Sequence, residues 1–319
     1  MKLGFLTAPH LPHLTPDDRL VLPALAALGI TVEPVLWPDA RWQQSTESLR
    51  ADLKHLSGLL MRSCWTYHQM PEAFTLWLAQ LQALQRSGLP VANLPSRFRQ
   101  NMDKRYLLQV QASGHAIVPT QILTLKDLYA RRERRDTLTH LLHCAPETPL
   151  VIKPVISASG ENTFLWREAF PETLLFKGKA HAPSLSAEPP AWMVQPLVES
   201  IHDQGEYSLI FFQGHFSHGV RKLPAPTQFL VHEEHGGVTQ AMVPPPALLA
   251  AARRLLQDEI WEAPLATQLY TRLDYVWHDQ QWCLMEIESI EPSLYLAHDA
   301  QAPARWAEAI SAYFLGAKV

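Results

Sequence analysis

Strand and helix patterns alternate through the first hundred residues, and a chain that does this has few choices other than a parallel sheet crossed by helices. The stretch "KLGFLTA" (2–8) reads as a buried strand, and "DDRLVLPALAALG" (17–29) as a helix with acids in its first turn and Gly29 at its end. "TVEPVLW" (31–37) and "GLLMRS" (58–63) are further strands. In "PEAFTLWLAQLQALQRSG" (71–88), Phe74, Trp77, Leu78, Leu81 and Leu84 recur at helical spacing between Pro71 and Gly88, and "LPVAN" (89–93) follows as a short strand.

The alternation then stops. A helix, "NMDKRYLLQVQASG" (101–114), leads into "AIVPT" (116–120) and a polar, charged stretch up to the apolar strand "PLVIKPV" (149–155). From 191 the strands become longer and adjacent: "AWMVQPL", "YSLIFFQG", "SHGVRKL", "LYTRLDYVWH" and "QWCLMEIESI", with one helix, "PALLAAARRLLQDEI", among them. The class therefore changes from α/β to α+β, an antiparallel sheet with helical cover.

Composition removes several function classes. With 319 residues and 47% hydrophobic residues, the chain can build two or three packed lobes. The net charge is -4, and the densest basic run, "RRERR" (131–135), is broken by Glu133, so nucleic acid is not an expected partner. Cys64, Cys144 and Cys283 lack any paired spacing, which argues against disulfides and a thiolate metal site and fits a reducing, cytoplasmic setting. No stretch approaches the roughly 20 apolar residues of a membrane span. "HFSHG" (215–219) and "HEEH" (232–235) read as solvated or hydrogen-bonded histidines rather than zinc ligands, because strand residues three apart point to opposite faces.

Charge is concentrated where it is costly. "LMEIESIEPSLYL" (284–296) places Glu286, Glu288 and Glu291 within six residues on what should be a strand end, an unfavourable crowding unless a cation offsets it. Two lysines answer it: Lys153 inside its apolar strand, and Lys104 in the helix before it. Immediately after Lys153, the small-residue turn "SASGENT" (157–163) could bend over a phosphate and offer it backbone N–H groups. Neither the phosphate loop of P-loop proteins nor the dinucleotide fingerprint is present, so another architecture would have to hold a nucleotide.

The order of these parts resembles the ATP-grasp superfamily of ATP-dependent carboxylate ligases. It is carried by the helix lysine, the strand lysine with its small-residue turn, "MVQPLVES", "GEYS", "RLD" and "EIE". "MRSCWTY" (61–67), "NMDKRYLLQ" (101–109), "FSHGVRK" (216–222) and "EIESIEPSLYL" (286–296) are most similar to the glutathione-synthetase-like branch that includes the O-ureido-serine cyclase of cycloserine biosynthesis. The resemblance implies three lobes: an N-terminal βαβ domain (1–98), a central lid subdomain (99–190) and a C-terminal subdomain (191–319), with the nucleotide between the last two. It implies that Lys104, Lys153 and the lid residues Ser157, Ser159 and Gly160 meet the ATP phosphates. Gln195, Pro196, Leu197 and Val198 would meet adenine, and Glu206, with Glu199 as second candidate, the ribose. Asp274, Glu286 and Glu288 would hold two Mg²⁺ ions, although the family usually has Asn at the place of Glu288. Arg221 and Arg272 would stabilise the transferring phosphoryl group.

The implied activity is C–N bond formation through an acyl phosphate on a small amino-acid-like or peptide-like carboxylate. The amine would come from a second substrate or, in a cyclase, from the same molecule; a homodimer is left open. Arg62 and Tyr67, at the end of a first-lobe strand, either read the substrate or, for Arg62, pair with an acid. The chain departs from the family pattern at "PTQFLVHEEHGG" (226–237), where Gln228 and Leu230 replace an expected Asp and Arg. The missing positive charge would then come from Arg221, Lys222 or protonated His232, or the chain binds nucleotide through a degenerate site.

Overall fold

The computed structural model describes residues 1–171, 173, 174, 191–260 and 264–316. Three sheets form the molecule. In the first, β1 (Lys2–Thr7), β2 (Thr31–Leu36), β3 (Gly58–Ser63) and β4 (Val91–Ala92) run parallel in the order β2-β1-β3-β4. All six residues of β3 are buried, as expected of a parallel strand covered on both faces. The helix Pro71–Arg86 buries the five apolar residues expected from its spacing, and Trp77 stacks on Trp37 with ring centroids 4.9 Å apart.

The second sheet is antiparallel, with β5 (Gln121–Thr124), β6 (Leu150–Pro154), β7 (Phe164–Trp166) and β8 (Ala191–Pro196) in the order β5-β8-β6-β7. Leu150 and Ile152 of β6 join Trp166, Trp192 and Val194 in a core of its own, while Val151 and Lys153 alternate to the other, half-exposed face.

In the third sheet, β9 (Glu206–Phe212), β10 (His215–Leu223), β11 (Val238–Met242), β12 (Tyr270–His278) and β13 (Gln281–Glu288) pair antiparallel in the order β11-β10-β9-β12-β13. The helix Pro246–Gln257 shares one core with Leu209, Phe211 and Leu273. The helix Ala302–Gly316 joins a second core, in which Trp306 and Phe314 are clustered with Phe212 as well as with Leu3, Phe5 and Leu60 of the first lobe. The α/β plus α+β architecture expected from the sequence is therefore the one observed.

Side-chain clamps join the first and third sheets. Asn93 donates to the carbonyls of Tyr270 (2.9 Å) and Ser289 (3.1 Å) and accepts from the Leu269 N–H, and Asn101 donates to Ile287 (2.7 Å). The boundary expected after residue 98 falls inside the helix Pro95–Met102, and residue 190 lies outside the described residues.

One element differs from the sequence reading. The helix expected over 101–114 breaks at Asp103, which is extended, so that Pro95–Met102 and Tyr106–Ala112 are separate helices. Lys104 stands in the break, its N–H bonded to the Val155 carbonyl at 2.8 Å, a competing partner that periodicity does not reveal. "AIVPT" touches β13 through one bridge, Ile117 to Leu284. No helix among the described residues is long and apolar enough to cross a membrane.

Candidate functional site

A cleft lies between the second sheet and the third, and the alternation of side chains along the strands decides which residues face it. On the third sheet, β9, β10, β12 and β13 are in register so that Glu206 lies opposite Lys222, Asp274 opposite Glu286 and Arg272 opposite Glu288. All six line the cleft. From the other side come Lys153, the 157–160 turn and the main chain of residues 195–198, while Lys104 reaches in from its helix break. Of the expected site residues, Arg221 is absent from the cleft, as are Arg62 and the second ribose candidate Glu199.

The strand period explains Arg221. As the neighbour of Lys222 it points to the opposite face, where its guanidinium lies 3.5 Å from Gln240. Lys222 takes its place, with Glu206 and Asp274 as ion-pair partners, the latter at 3.3 Å. Burial alone would strip Lys222 of its proton, but Asp274 and Glu206 hold it well above the usual lysine range. Which of two adjacent basic residues faced the acids required the register with β9.

The acids are neutralised within this wall. Asp274 accepts from Ser208 (2.6 Å), twice from Arg272 (3.0 Å each) and from Lys222, so both its oxygens are used. Burial would raise its pKa, yet Arg272 and Lys222 hold it far below the carboxylate range. Glu286 pairs with Lys104 at 2.9 Å; burial is again outweighed, by Lys104 and then Lys153. Glu288 pairs with Arg272 by one oxygen, and burial pushes its pKa to about 7 against the pull of Arg272. Of the three crowded carboxylates, Glu286 is answered by Lys104, as the lysine placement suggests, while burial raises Glu288 and Glu291.

The facing wall keeps its charge. Lys153 makes no ion pair or hydrogen bond among the described residues; burial lowers its pKa, Glu286 offsets part of this, and Lys104 adds to it. Lys104 also donates to the Ser157 carbonyl at 2.6 Å, tying it to the turn. Ser159 and Gly160 have positive φ (52° and 68°), and a Cβ added at Gly160 would meet Leu230 at 3.0 Å, so the turn lies against the 224–237 loop. Glu161 closes the turn onto the first lobe through His68 at 2.6 Å.

At the inner end, Leu197 donates its N–H to Pro149 at 2.7 Å, while the Leu197 carbonyl and the Val198 N–H have no partner among the described residues. One free acceptor beside one free donor suits the edge of a purine. The Gln195 side chain is fixed by Thr120 at 2.9 Å.

Which residues could hold a metal follows from what is left free. No three His, Cys, Asp or Glu side chains converge on one point among the described residues. Glu286 and Glu288 each have one uncommitted oxygen, the hard donor type that suits Mg²⁺, whereas Asp274 has none. His232, expected as a possible cation, is pushed down to about 4 by burial and by Lys222 and Arg272, so it is neutral at pH 7. Arg62 is a strut: it pairs with Asp18 at 2.7 Å and donates to Pro292 at 2.9 Å, fully buried. Tyr67 and its neighbour Trp65 do line the cleft, and so does Glu291.

Comparison with known proteins agrees with this layout. Residues 3–93 match the family described as D-cycloserine synthetase DcsG, N-terminal domain. The chain is 25% identical over 306 residues to the cycloserine biosynthesis protein DcsG of Streptomyces lavendulae, covering 92% of this chain and 93% of that one. Among solved structures, D-cycloserine synthetase DcsG superposes with a TM-score of 0.72 at 22% identity over 98% of this chain and 100% of that one. The D-alanine–D-alanine ligase of Bacillus anthracis does so with a TM-score of 0.63 at 15% identity, over 99% and 98%. The ATP-grasp ligase PsnB, complexed with a minimal precursor, follows at 0.60 and 14%, over 97% and 98%.

Proposed function

We infer, from the premise that this chain is an ATP-grasp protein homologous over nearly its whole length to DcsG, that it is an ATP-dependent carboxylate–amine ligase. The observation that carries this reading is the asymmetry of the cleft: an unpaired Lys153 beside Lys104 on one wall, and half-committed Glu286 and Glu288 on the other. Adenine would lie against Leu197 and Val198, the ribose against Glu206, and the phosphates under Ser157, Ser159 and Gly160 within reach of both lysines. Glu286 and Glu288 would hold Mg²⁺, which supplies Lewis acidity at the phosphate oxygens. A second ion would need Asp274, and therefore its release by Arg272. Lys222 and Arg272 stabilise the charge of the transferring phosphoryl group, with Lys222 standing where the family pattern lacks its arginine.

A substrate carboxylate attacks the γ-phosphate, ADP leaves, and an amine nitrogen then displaces phosphate from the acyl phosphate. The 157–162 turn, closed over the cleft by Glu161, excludes the water that would hydrolyse this intermediate. The similarity to a cycloserine biosynthesis protein favours an amine on the same molecule, giving a cyclisation. Three free cysteines suit the ATP-rich, reducing cytoplasm. Trapping tests the reaction: with Mg·ATP, hydroxylamine and a set of small amino acids, ADP and a hydroxamate should form together. AMP and pyrophosphate, or no nucleotide cleavage with any carboxylate, would overturn this reading.

A further inference from the structure

The segment 290–294 is immobilised to an unusual degree for irregular backbone. Five consecutive carbonyls each accept from a different side chain: Ile290 from Tyr270 (2.7 Å), Glu291 from Trp65 (2.9 Å), Pro292 from Arg62 (2.9 Å), Ser293 from Arg272 (3.1 Å) and Leu294 from His218 (2.8 Å). The Leu294 and Leu296 N–H groups are bonded to Asp17 as well. Donors from the first and third sheets thus converge on one short strap, more fixation than a connection between β13 and a helix requires.

The strap carries one charged side chain, Glu291. It is 8% exposed, it lines the cleft together with Trp65 and Tyr67, and its carboxylate has neither a hydrogen bond nor an ion pair among the described residues. Every other acid named in the cleft wall has a cation. Burial and the neighbouring Glu288 raise its pKa well above the carboxylate range, so the neutral acid is favoured until a cation arrives, and a rigid strap that presents it to the cleft suits an ammonium brought by a ligand.

We propose that Glu291 binds the ammonium group of the carboxylate substrate, selecting amino acids with a free amine over carboxylic acids without one. The inference rests on the ligase reading and specifies its substrate. Glu291 lies at the end of the cleft next to the first lobe, with the lysines and the 195–198 main chain belonging to the nucleotide wall. A substrate anchored there by its ammonium would present its own carboxylate toward the phosphates, while Trp65 and Tyr67, which line the same cleft, would limit the size of what enters. The ammonium held by Glu291 is the one that does not react, because a protonated nitrogen cannot attack the acyl phosphate.

Glu291→Ala and Glu291→Gln test this beside the parent. Calorimetry with Mg·ATP should give dissociation constants close to the parent's, since Glu291 has no hydrogen bond or ion pair to the residues assigned to the nucleotide and feels Lys104 and Arg272 only through space. In hydroxamate assays with both enantiomers of alanine, serine and 2,3-diaminopropionate, the parent should accept free amino acids and reject their N-acetyl derivatives. Both variants should raise KM for the free amino acids roughly 100-fold, as expected for loss of a buried charge partner. In the ligand-free protein, Glu291→Gln should leave the melting temperature close to the parent's, because burial already favours the neutral acid that Gln imitates. Equal use of N-acetylated and free substrates, no free amino acid preferred by a parent that binds Mg·ATP, an unchanged KM, or a weakened Mg·ATP affinity in the variants would each overturn the assignment. Failure of the parent itself to bind Mg·ATP would remove the ligase reading as well, and is seen separately in the first measurement.

Discussion

The two walls of the cleft treat charge in opposite ways. On the third sheet Glu206, Lys222, Asp274, Arg272 and Glu288 neutralise one another through hydrogen-bonded pairs, each side chain oriented by strand register. Across from it, Lys153 of the second sheet faces the cleft with no side-chain partner among the described residues, and Lys104, from its helix break, shares itself between Glu286 and a backbone carbonyl. The paired wall costs little to maintain and is preorganised; the unpaired wall is where a ligand's negative charge gains most, because desolvation has already been incurred. Stability should therefore respond to mutation of one wall and binding to mutation of the other.

The largest expected effect on stability is on the paired wall. Lys222→Met leaves Glu206 buried without a cation, and urea unfolding should show a loss of about 3 kcal/mol. An unchanged midpoint would mean that the network is not coupled to folding. His232 gives a smaller, pH-dependent effect. Its folded pKa, about 4 against the ordinary 6.5, is depressed, so the folded protein binds fewer protons than the unfolded chain between these values. Its contribution is complete above pH 6.5 and is lost as pH falls toward 4. Unfolding measured at pH 4.5, 5.5 and 6.5 should therefore be flatter in His232→Gln, by at most about 3 kcal/mol over the range. An equal slope in both proteins would place His232 in a wetter setting. The smallest effect belongs to the latch: Glu161→Gln should change global stability by less than about 1 kcal/mol, yet speed hydrogen exchange in residues 157–162, since Glu161 is 40% exposed in its pair with His68. Equal exchange would show that the turn is held by its own backbone.

What could be read in the sequence reflects where local rules operate. The βαβ lobe was legible because helical and strand periods are local, and the helix Pro71–Arg86 buries the residues its spacing selects. Lys153 was conspicuous as a charge in an apolar strand and Glu286 as part of an acidic run, whereas Asp274 was singled out only through the family resemblance. Lys222 was not legible, since choosing between it and Arg221 needs the pairing of β10 with β9, a non-local fact. Lys104 lines the cleft but stands in a break rather than inside the helix expected for it, because Val155 accepts its N–H. The role of Glu291 was hidden for the same reason: as part of an acidic run it looked like Glu286 and Glu288, and only tertiary structure shows that those two have cations and it has none.

The account depends most on Lys153 as the uncommitted cation that meets ATP. Calorimetric titration of Mg·ATP into the parent and into Lys153→Met addresses it directly. One binding site in the parent, weakened by roughly 100-fold in the variant without loss of melting temperature, is the expected result. Equal dissociation constants, or no binding heat in the parent, would contradict the assignment of this cleft to the nucleotide.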